Sequence, residues 1–180
     1  MNTNIPVILS RKLTRISKWM GLIEKRVLFS PEQKEQIYHS VNITDYVAII
    51  AILPDGRIPV VKQYRPAVEC HTWEFPAGML EKGENPKEAC KRELLEETGL
   101  ISQEVINLGS FFADTGRLCN KQHVFAVKAS GVDPKYIPEE GMKVKYVLIP
   151  ELLNMIRNKE FNHQLHIGAL LLYNLNTSTG

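Results

Sequence analysis

GENPKEACKRELLEETGL, residues 83–100, carries the start and stop signals of a short helix. Asn85 suits an N-cap, Pro86 suits the first helical position, and Glu88 stands three residues after the cap as in a capping box. Gly99 is placed to end the helix in a left-handed conformation, which predicts a span from Pro86 to Thr98. At about 100° per residue, Ala89, Cys90, Glu93, Leu94 and Glu97 fall within one arc of roughly 140°. Ala89, Cys90 and Leu94 are natural core contacts, yet two glutamates lie among them and Glu96 flanks the same arc.

Carboxylates four residues apart on a helix repel, and partial burial raises the cost unless a counter-charge is found. Arg92 can reach Glu96 at the i,i+4 spacing, but one arginine cannot satisfy three glutamates. A divalent cation with hard oxygen ligands can, and Mg²⁺ is of that kind. A solvent-facing acidic helix end laced with salt bridges has the same local pattern.

Outward from this helix the chain is rich in strand signals. DYVAIIAIL (45–53) and RIPVVKQYRP (57–66) flank an Asp55-Gly56 turn and predict a hairpin. The first run is nearly all apolar, as in a strand buried on both faces. VLFS (27–30) and EQIYHSVNI (35–43) precede it as further strands. VINLGSFFA (105–113), KQHVFAVKA (121–129) and VKYVLI (144–149) follow the helix. PELLNMIRN (150–158) and HQLHIGALLLYNL (163–175) read as closing helices, and NTSTG (176–180) as a frayed polar tail. The order predicts an α/β fold, a sandwich of helices about a mixed β-sheet. Residues 1–42 form an N-terminal extension with strands, and 43–180 the main domain.

With 180 residues, 44% hydrophobic and 23% charged, the chain can bury a globular core. Residues 1–28 hold six basic side chains against Glu24, a net +5, which reads first as a solvated face. Cys70, Cys90 and Cys119 are odd in number and lack metal-ligand spacing, which fits a reducing compartment. No apolar run approaches the roughly 18 residues that span a bilayer. PVILS is too short for a signal-peptide core, so the expectation is a cytoplasmic chain with neither membrane nor nucleic-acid partner.

From Gly78 the chain reads G-MLEKG-E-NPKEACK-RELLEETGL. This resembles, at every fixed position, the signature of the Nudix hydrolases: Gly, five residues, Glu, seven residues, then Arg-Glu-apolar-any-Glu-Glu-any-Gly-apolar. The fixed positions are Gly78, Glu84, Arg92, Glu93, Leu94, Glu96, Glu97, Gly99 and Leu100. The resemblance implies a Nudix-type α/β/α sandwich and Mg²⁺- or Mn²⁺-dependent hydrolysis of a nucleoside diphosphate linked to another moiety. It implies that Glu93 and Glu97 are metal ligands, with Glu96 a third, and that Arg92 orients them. VVKQYRP and WEFPAG look like the ADP-ribose and nucleoside-diphosphate-sugar branch. In that branch the carbonyl of Ala77 would join the metal, and Arg65 would grip the diphosphate, a task suited to a guanidinium fork. Glu74 would touch substrate or pair with Arg65, and Trp73 would stack on a base or pack in the core. The base is expected on a loop before the last strand, where YIPEEGMKVKYV offers Glu139 and Glu140, with Glu140 favoured. FFADTGRLCNKQH has Thr115-Gly116 where many ADP-ribose hydrolases carry a proline beside a glycine, so other nucleotide sugars stay open. Arg117 and Asn120 are candidate specificity contacts there, whereas His123, at a strand start, reads as packed or exposed rather than as a base. The branch also implies a homodimer built through the N-terminal sheet. The rival readings are a nucleoside triphosphate or dinucleotide polyphosphate hydrolase, and a Nudix-like module that binds a nucleotide without turnover.

Overall fold

The computed structural model describes residues 6–30 and 33–177 and divides into two units. One comprises Met1–Asp45 and Phe112–Lys121, the other Tyr46–Phe111 and Gln122–Gly180. Ser178–Gly180 of the expected frayed tail lie outside the described residues, while Asn176 and Thr177 continue the last helix.

In the first unit, β1 (Val7–Arg15), β2 (Met20–Leu28) and β3 (Gln36–Ile43) form an antiparallel sheet in that order. The expected strand at 35–43 is β3, whereas VLFS is only the end of β2. β1 has every residue exposed, so its sequence lacks the in–out alternation that would mark a strand. Five of the six basic residues sit on β1 and β2, with Arg11 opposite Lys25 and Lys12 opposite Glu24, and Lys18 lies between the strands. The Phe112–Lys121 segment is tied to β3 by Val41 N–H donating to the Arg117 carbonyl at 2.7 Å.

The second unit runs β4 (Tyr46–Ile52), β5 (Ile58–Arg65), β6 (Cys70–Glu74), β7 (Ala77–Met79) and α1 (Pro86–Thr98). It continues with β8 (Leu100–Phe112), β9 (Lys121–Val132), β10 (Lys143–Val147), α2 (Ile149–Arg157) and α3 (Gln164–Thr177). The Asp55-Gly56 turn is present, with Gly56 at φ 81°, but the runs it joins are not a hairpin. β4 is interior to the sheet β7-β4-β9-β8, antiparallel to β7 and parallel to β9, so neither of its edges is left for β5. β5 instead centres a second, antiparallel sheet, β10-β5-β6.

Alternation along β4 sets the layers. Val47, Ile49 and Ala51 pack with Ala89, Cys90 and Leu94 of α1, while Ile50 packs with Leu152 of α2 and Leu170 of α3. Helices therefore cover the mixed sheet on both sides, the expected α/β/α arrangement. Burial pushes the Cys90 thiol up to about 12, so it packs as a small apolar group.

Candidate active site

The caps of α1 are local, and they fix its phase. The Asn85 side chain accepts from Lys87 N–H at 2.9 Å, and Gly99 adopts φ 71° with its N–H on the Leu95 carbonyl. The capping box is not completed: the Glu88 carboxylate takes Lys91 Nζ at 2.9 Å instead. With Ala89, Cys90 and Leu94 sealed in the core, Glu93 and Glu97 are carried beneath β7.

β7 is shaped to receive them. A Cβ on Gly78 would stand 1.9–2.1 Å from the Glu93 carboxyl atoms, so only glycine lets the strand pass this close. One residue earlier, Ala77 N–H donates to Glu97 Oε2 at 2.9 Å. Arg92 holds the remainder: Nε and Nη2 bind both oxygens of Glu84 at 2.9 Å, and Nη1 reaches Glu93 at 2.7 Å and Glu96 at 3.1 Å. A fifth contact runs from Nη2 to the Met79 carbonyl at 3.2 Å, pinning the end of β7 to the helix.

Charge is unequally compensated in this cluster. Arg92 holds Glu84 below the ordinary carboxylate range, whereas burial pushes Glu93 above it despite the same guanidinium. Glu97 is only 6% exposed, and among the described residues no Lys, Arg or His lies within ion-pair distance of it. Burial drives its carboxyl up to about 8, against the Ala77 N–H and with the help of the Glu93 charge. Buried, hard, under-compensated oxygens beneath a glycine cradle fit a divalent cation of the Mg²⁺ kind.

Arg65 and Glu74 form a second cluster across β5 and β6. Arg65 Nε and Nη2 grip the two Glu74 oxygens at 3.0 and 2.6 Å, and Thr72 Oγ1 donates to the same carboxylate. Burial pushes Glu74 up, but Arg65 and Thr72 outweigh it and the carboxyl stays low. Trp73 alternates to the opposite face from Thr72 and Glu74, where it packs on the core with Lys62 Nζ 5.6 Å from its ring. Glu139 and Glu140 lie exposed on the turn before β10, with no side-chain partner among the described residues. That turn is joined to the helix end, since Asp133 N–H donates to the Gly99 carbonyl and Tyr136 Oη to the Glu97 carbonyl, both at 2.8 Å. In the first unit, Arg117 lines a cavity with Tyr38, His39 and Asp114, and Asn120 is 1% exposed with its side-chain nitrogen on the Thr44 carbonyl.

Two histidines, His163 and His166, adjoin Glu74 and were invisible to sequence reasoning. His166 falls on the buried face of an apolar helix, a position that from sequence alone reads as packing. Ligand-type atoms of Glu74, His163 and His166 lie within 4.8 Å of one another.

The NUDIX domain profile matches residues 43–165. An ADP-ribose pyrophosphatase of Bacillus subtilis (strain 168) is 33% identical over 117 residues, which cover 63% of this chain and 63% of that protein. An ADP-sugar pyrophosphatase of Mus musculus is 30% identical over 161 residues, covering 81% of this chain and 73% of that one. A solved ADP compounds hydrolase superposes with a TM-score of 0.79 over 97% of this chain and 95% of the other, at 17% identity, a likeness of fold.

Proposed function

The chain belongs to the Nudix family, and we propose that it hydrolyses the diphosphate bridge of ADP-ribose or a related nucleoside diphosphate sugar, giving a nucleoside monophosphate and a sugar phosphate. The observation that carries this reading is the pair Glu93 and Glu97 beneath β7, Glu93 half-buried and Glu97 buried without a cationic partner among the described residues. The names of the Bacillus and mouse relatives support the substrate class.

Mg²⁺, with Mn²⁺ as a substitute, would supply neutralisation of the bridging phosphates and a more acidic water. Glu93 and Glu97 hold the ion, with Glu96 and the Ala77 carbonyl completing the protein's share. Arg92 fixes these carboxylates through its fork to Glu84. Glu140, or its neighbour Glu139, takes the proton of the attacking water. Arg65 offers the diphosphate its Nη1 arm, which no described residue occupies. A homodimer through the first unit's sheet is supported by Val7, Leu9 and Leu13 of β1, each about half exposed. Three free cysteines support a reducing, cytoplasmic setting, and no helix of the described residues is long and apolar enough to cross a membrane.

A panel of nucleoside diphosphate sugars in Mg²⁺, with products identified by mass, tests the reading. AMP and ribose 5-phosphate from ADP-ribose, or the matching pair from another nucleotide sugar, is the expected result. Pyrophosphate released from a nucleoside triphosphate, or tight binding without turnover, refutes it.

A further inference from the structure

A cavity of about 220 Å³ lies beside β7, lined by Ala77 and Gly78, by the Arg65–Glu74 pair and by Tyr46. The charges of Arg65 and Glu74 both act on the Glu97 carboxyl, so this space is within electrostatic reach of the α1 glutamates.

Tyr46 opens β4, directly opposite Met79 of β7. By alternation its side chain shares a face of the strand with Ile50, away from α1. The ring is half-buried, and burial together with the Glu74 charge pushes the phenol up to about 12. It therefore keeps its proton through the neutral range and presents an O–H close to that carboxylate. Glu74 does not receive it, since its oxygens already take two bonds from Arg65 and one from Thr72 Oγ1. Among the described residues the phenol has no hydrogen-bond partner. Nor is Tyr46 Oη sealed away, because the buried side-chain atoms without partners are Asn120 Oδ1, Gln122 Nε2 and His163 Nδ1. An unpaired hydroxyl outside that set is accessible, and the cavity that Tyr46 lines is where a guest can reach it. A half-buried tyrosine hydroxyl ordinarily finds a partner.

The nature of the guest follows from what the cavity leaves unspent. Arg65 Nη1 is free of described residues, and the Tyr46 O–H is a second donor beside it. The one carboxylate lining the space is Glu74, already engaged by three bonds. Two donors without a free carboxylate suit a group that only accepts, and a phosphate oxygen does so with the added strength of its charge. A sugar hydroxyl would bring a proton of its own for which these side chains offer no carboxylate oxygen. The same bonds disfavour a metal shared by Glu74, His163 and His166. Besides the engagement of Glu74, His166 Nδ1 accepts Phe75 N–H at 3.0 Å, which leaves the proton of the neutral ring on Nε2.

We propose that Tyr46 Oη donates a hydrogen bond to a phosphate oxygen of the substrate's diphosphate, beside Arg65 Nη1, and so positions the bridge for attack. This rests on the nucleotide-sugar reading above and adds to it a residue outside the helix motif.

The test uses the full-length protein in Mg²⁺ and the nucleoside diphosphate sugar with the highest kcat/KM in the panel. Tyr46→Phe removes the hydroxyl and keeps the ring. It is expected to lower kcat/KM about tenfold or more, as for a hydrogen bond to a charged acceptor, with Mn²⁺ affinity by calorimetry and Tm both matching wild type. Tyr46→Gln restores a donor of shorter reach and should recover part of the loss. Inorganic pyrophosphate, a diphosphate with neither base nor sugar, identifies the acceptor: its calorimetric Kd should rise about tenfold in Tyr46→Phe. A kcat/KM within about twofold of wild type overturns the proposal. So does a pyrophosphate Kd that is unchanged by the substitution, or no pyrophosphate binding by wild type, since the phenol would then serve the base, the sugar or the fold. If Tyr46→Phe does not fold, Tyr46→Leu is judged by the same criteria. Absence of any nucleotide-sugar turnover by wild type marks instead the failure of the underlying reading, and the proposal falls with it.

Discussion

Replacing Glu97 by glutamine should make the metal-free protein more stable, and increasingly so as the pH rises. Burial carries the Glu97 carboxyl from its ordinary 4.5 to about 8. Between those values the unfolded chain has ionised this group while the folded protein still holds the proton. The folded state binds the extra proton, so stability falls as pH rises through this window and stops falling above it. At about 1.4 kcal/mol per pH step, the cost of the wild-type carboxyl is about 2 kcal/mol near pH 6 and about 5 kcal/mol above pH 8. Glutamine never ionises, and its carbonyl oxygen can still accept the Ala77 N–H now held at 2.9 Å. The advantage of Glu97→Gln over wild type should therefore grow by about 3 kcal/mol from pH 6 to 8.5, or about 6–12 °C in Tm for a chain of this size. Thermal melts of both proteins in EDTA at these two pH values measure it directly. Mg²⁺ should raise the wild-type Tm at pH 8.5 by mass action and leave the variant nearly unmoved. Turnover by the variant should fall by orders of magnitude. Parallel Tm-against-pH curves would show that Glu97 is not a buried, proton-binding carboxyl, and the argument for a cation at this position would lose its footing.

Gly78→Ala should displace the Glu93 carboxylate, whose Oε1 would lie 2.0 Å from the new Cβ; calorimetry should show at least a tenfold loss of Mn²⁺ affinity with the far-UV circular dichroism unchanged. Glu140→Gln should lower kcat by about 10²–10⁴, the range for losing a positioned base, with Mn²⁺ affinity intact. If Glu139→Gln is the damaging change instead, the two neighbours exchange roles. Tyr136→Phe removes the 2.8 Å hydrogen bond to the Glu97 carbonyl and leaves a helix-end acceptor unpaired, an expected loss of about 1 kcal/mol or 2–4 °C in Tm; an unchanged Tm would mean that water replaces the phenol at no cost.

What could be read from the sequence was what short-range chemistry decides. The α1 boundaries follow from Asn85 bonding two residues ahead and Gly99 bonding four residues back, contacts that any window over the segment contains. The placing of half-buried Glu93 and buried Glu97 on one arc followed from the same phase. The Asp55-Gly56 turn was equally local, but the pairing of the strands beside it was not. β4 finds its parallel neighbour more than 70 residues onward, at Gln122–Lys128, and a turn signal carries no information about which edge is free. β7 escaped notice because it is three residues long, below what alternation can reveal. Glu88 illustrates competition between local options, since Lys91 one turn onward offered its carboxylate a charge that the Asn85 backbone could not.

The same distinction separates the α1 glutamate cluster from the Arg65–Glu74 cluster. Arg92 satisfies Glu84, Glu93 and Glu96, all within eight residues of it, and Arg65 satisfies Glu74 nine residues away. Two guanidiniums thus serve four carboxylates, and the fifth, Glu97, has no cationic partner among the described residues. Such a deficit is a violation of local charge balance, and it was visible because all its members sit close in sequence. His163 has no such signature. Its ring stacks on His166, which accepts Phe75 N–H across 91 residues. A panel of substrates, rather than a longer motif, is therefore the measurement that tests the proposed substrate class.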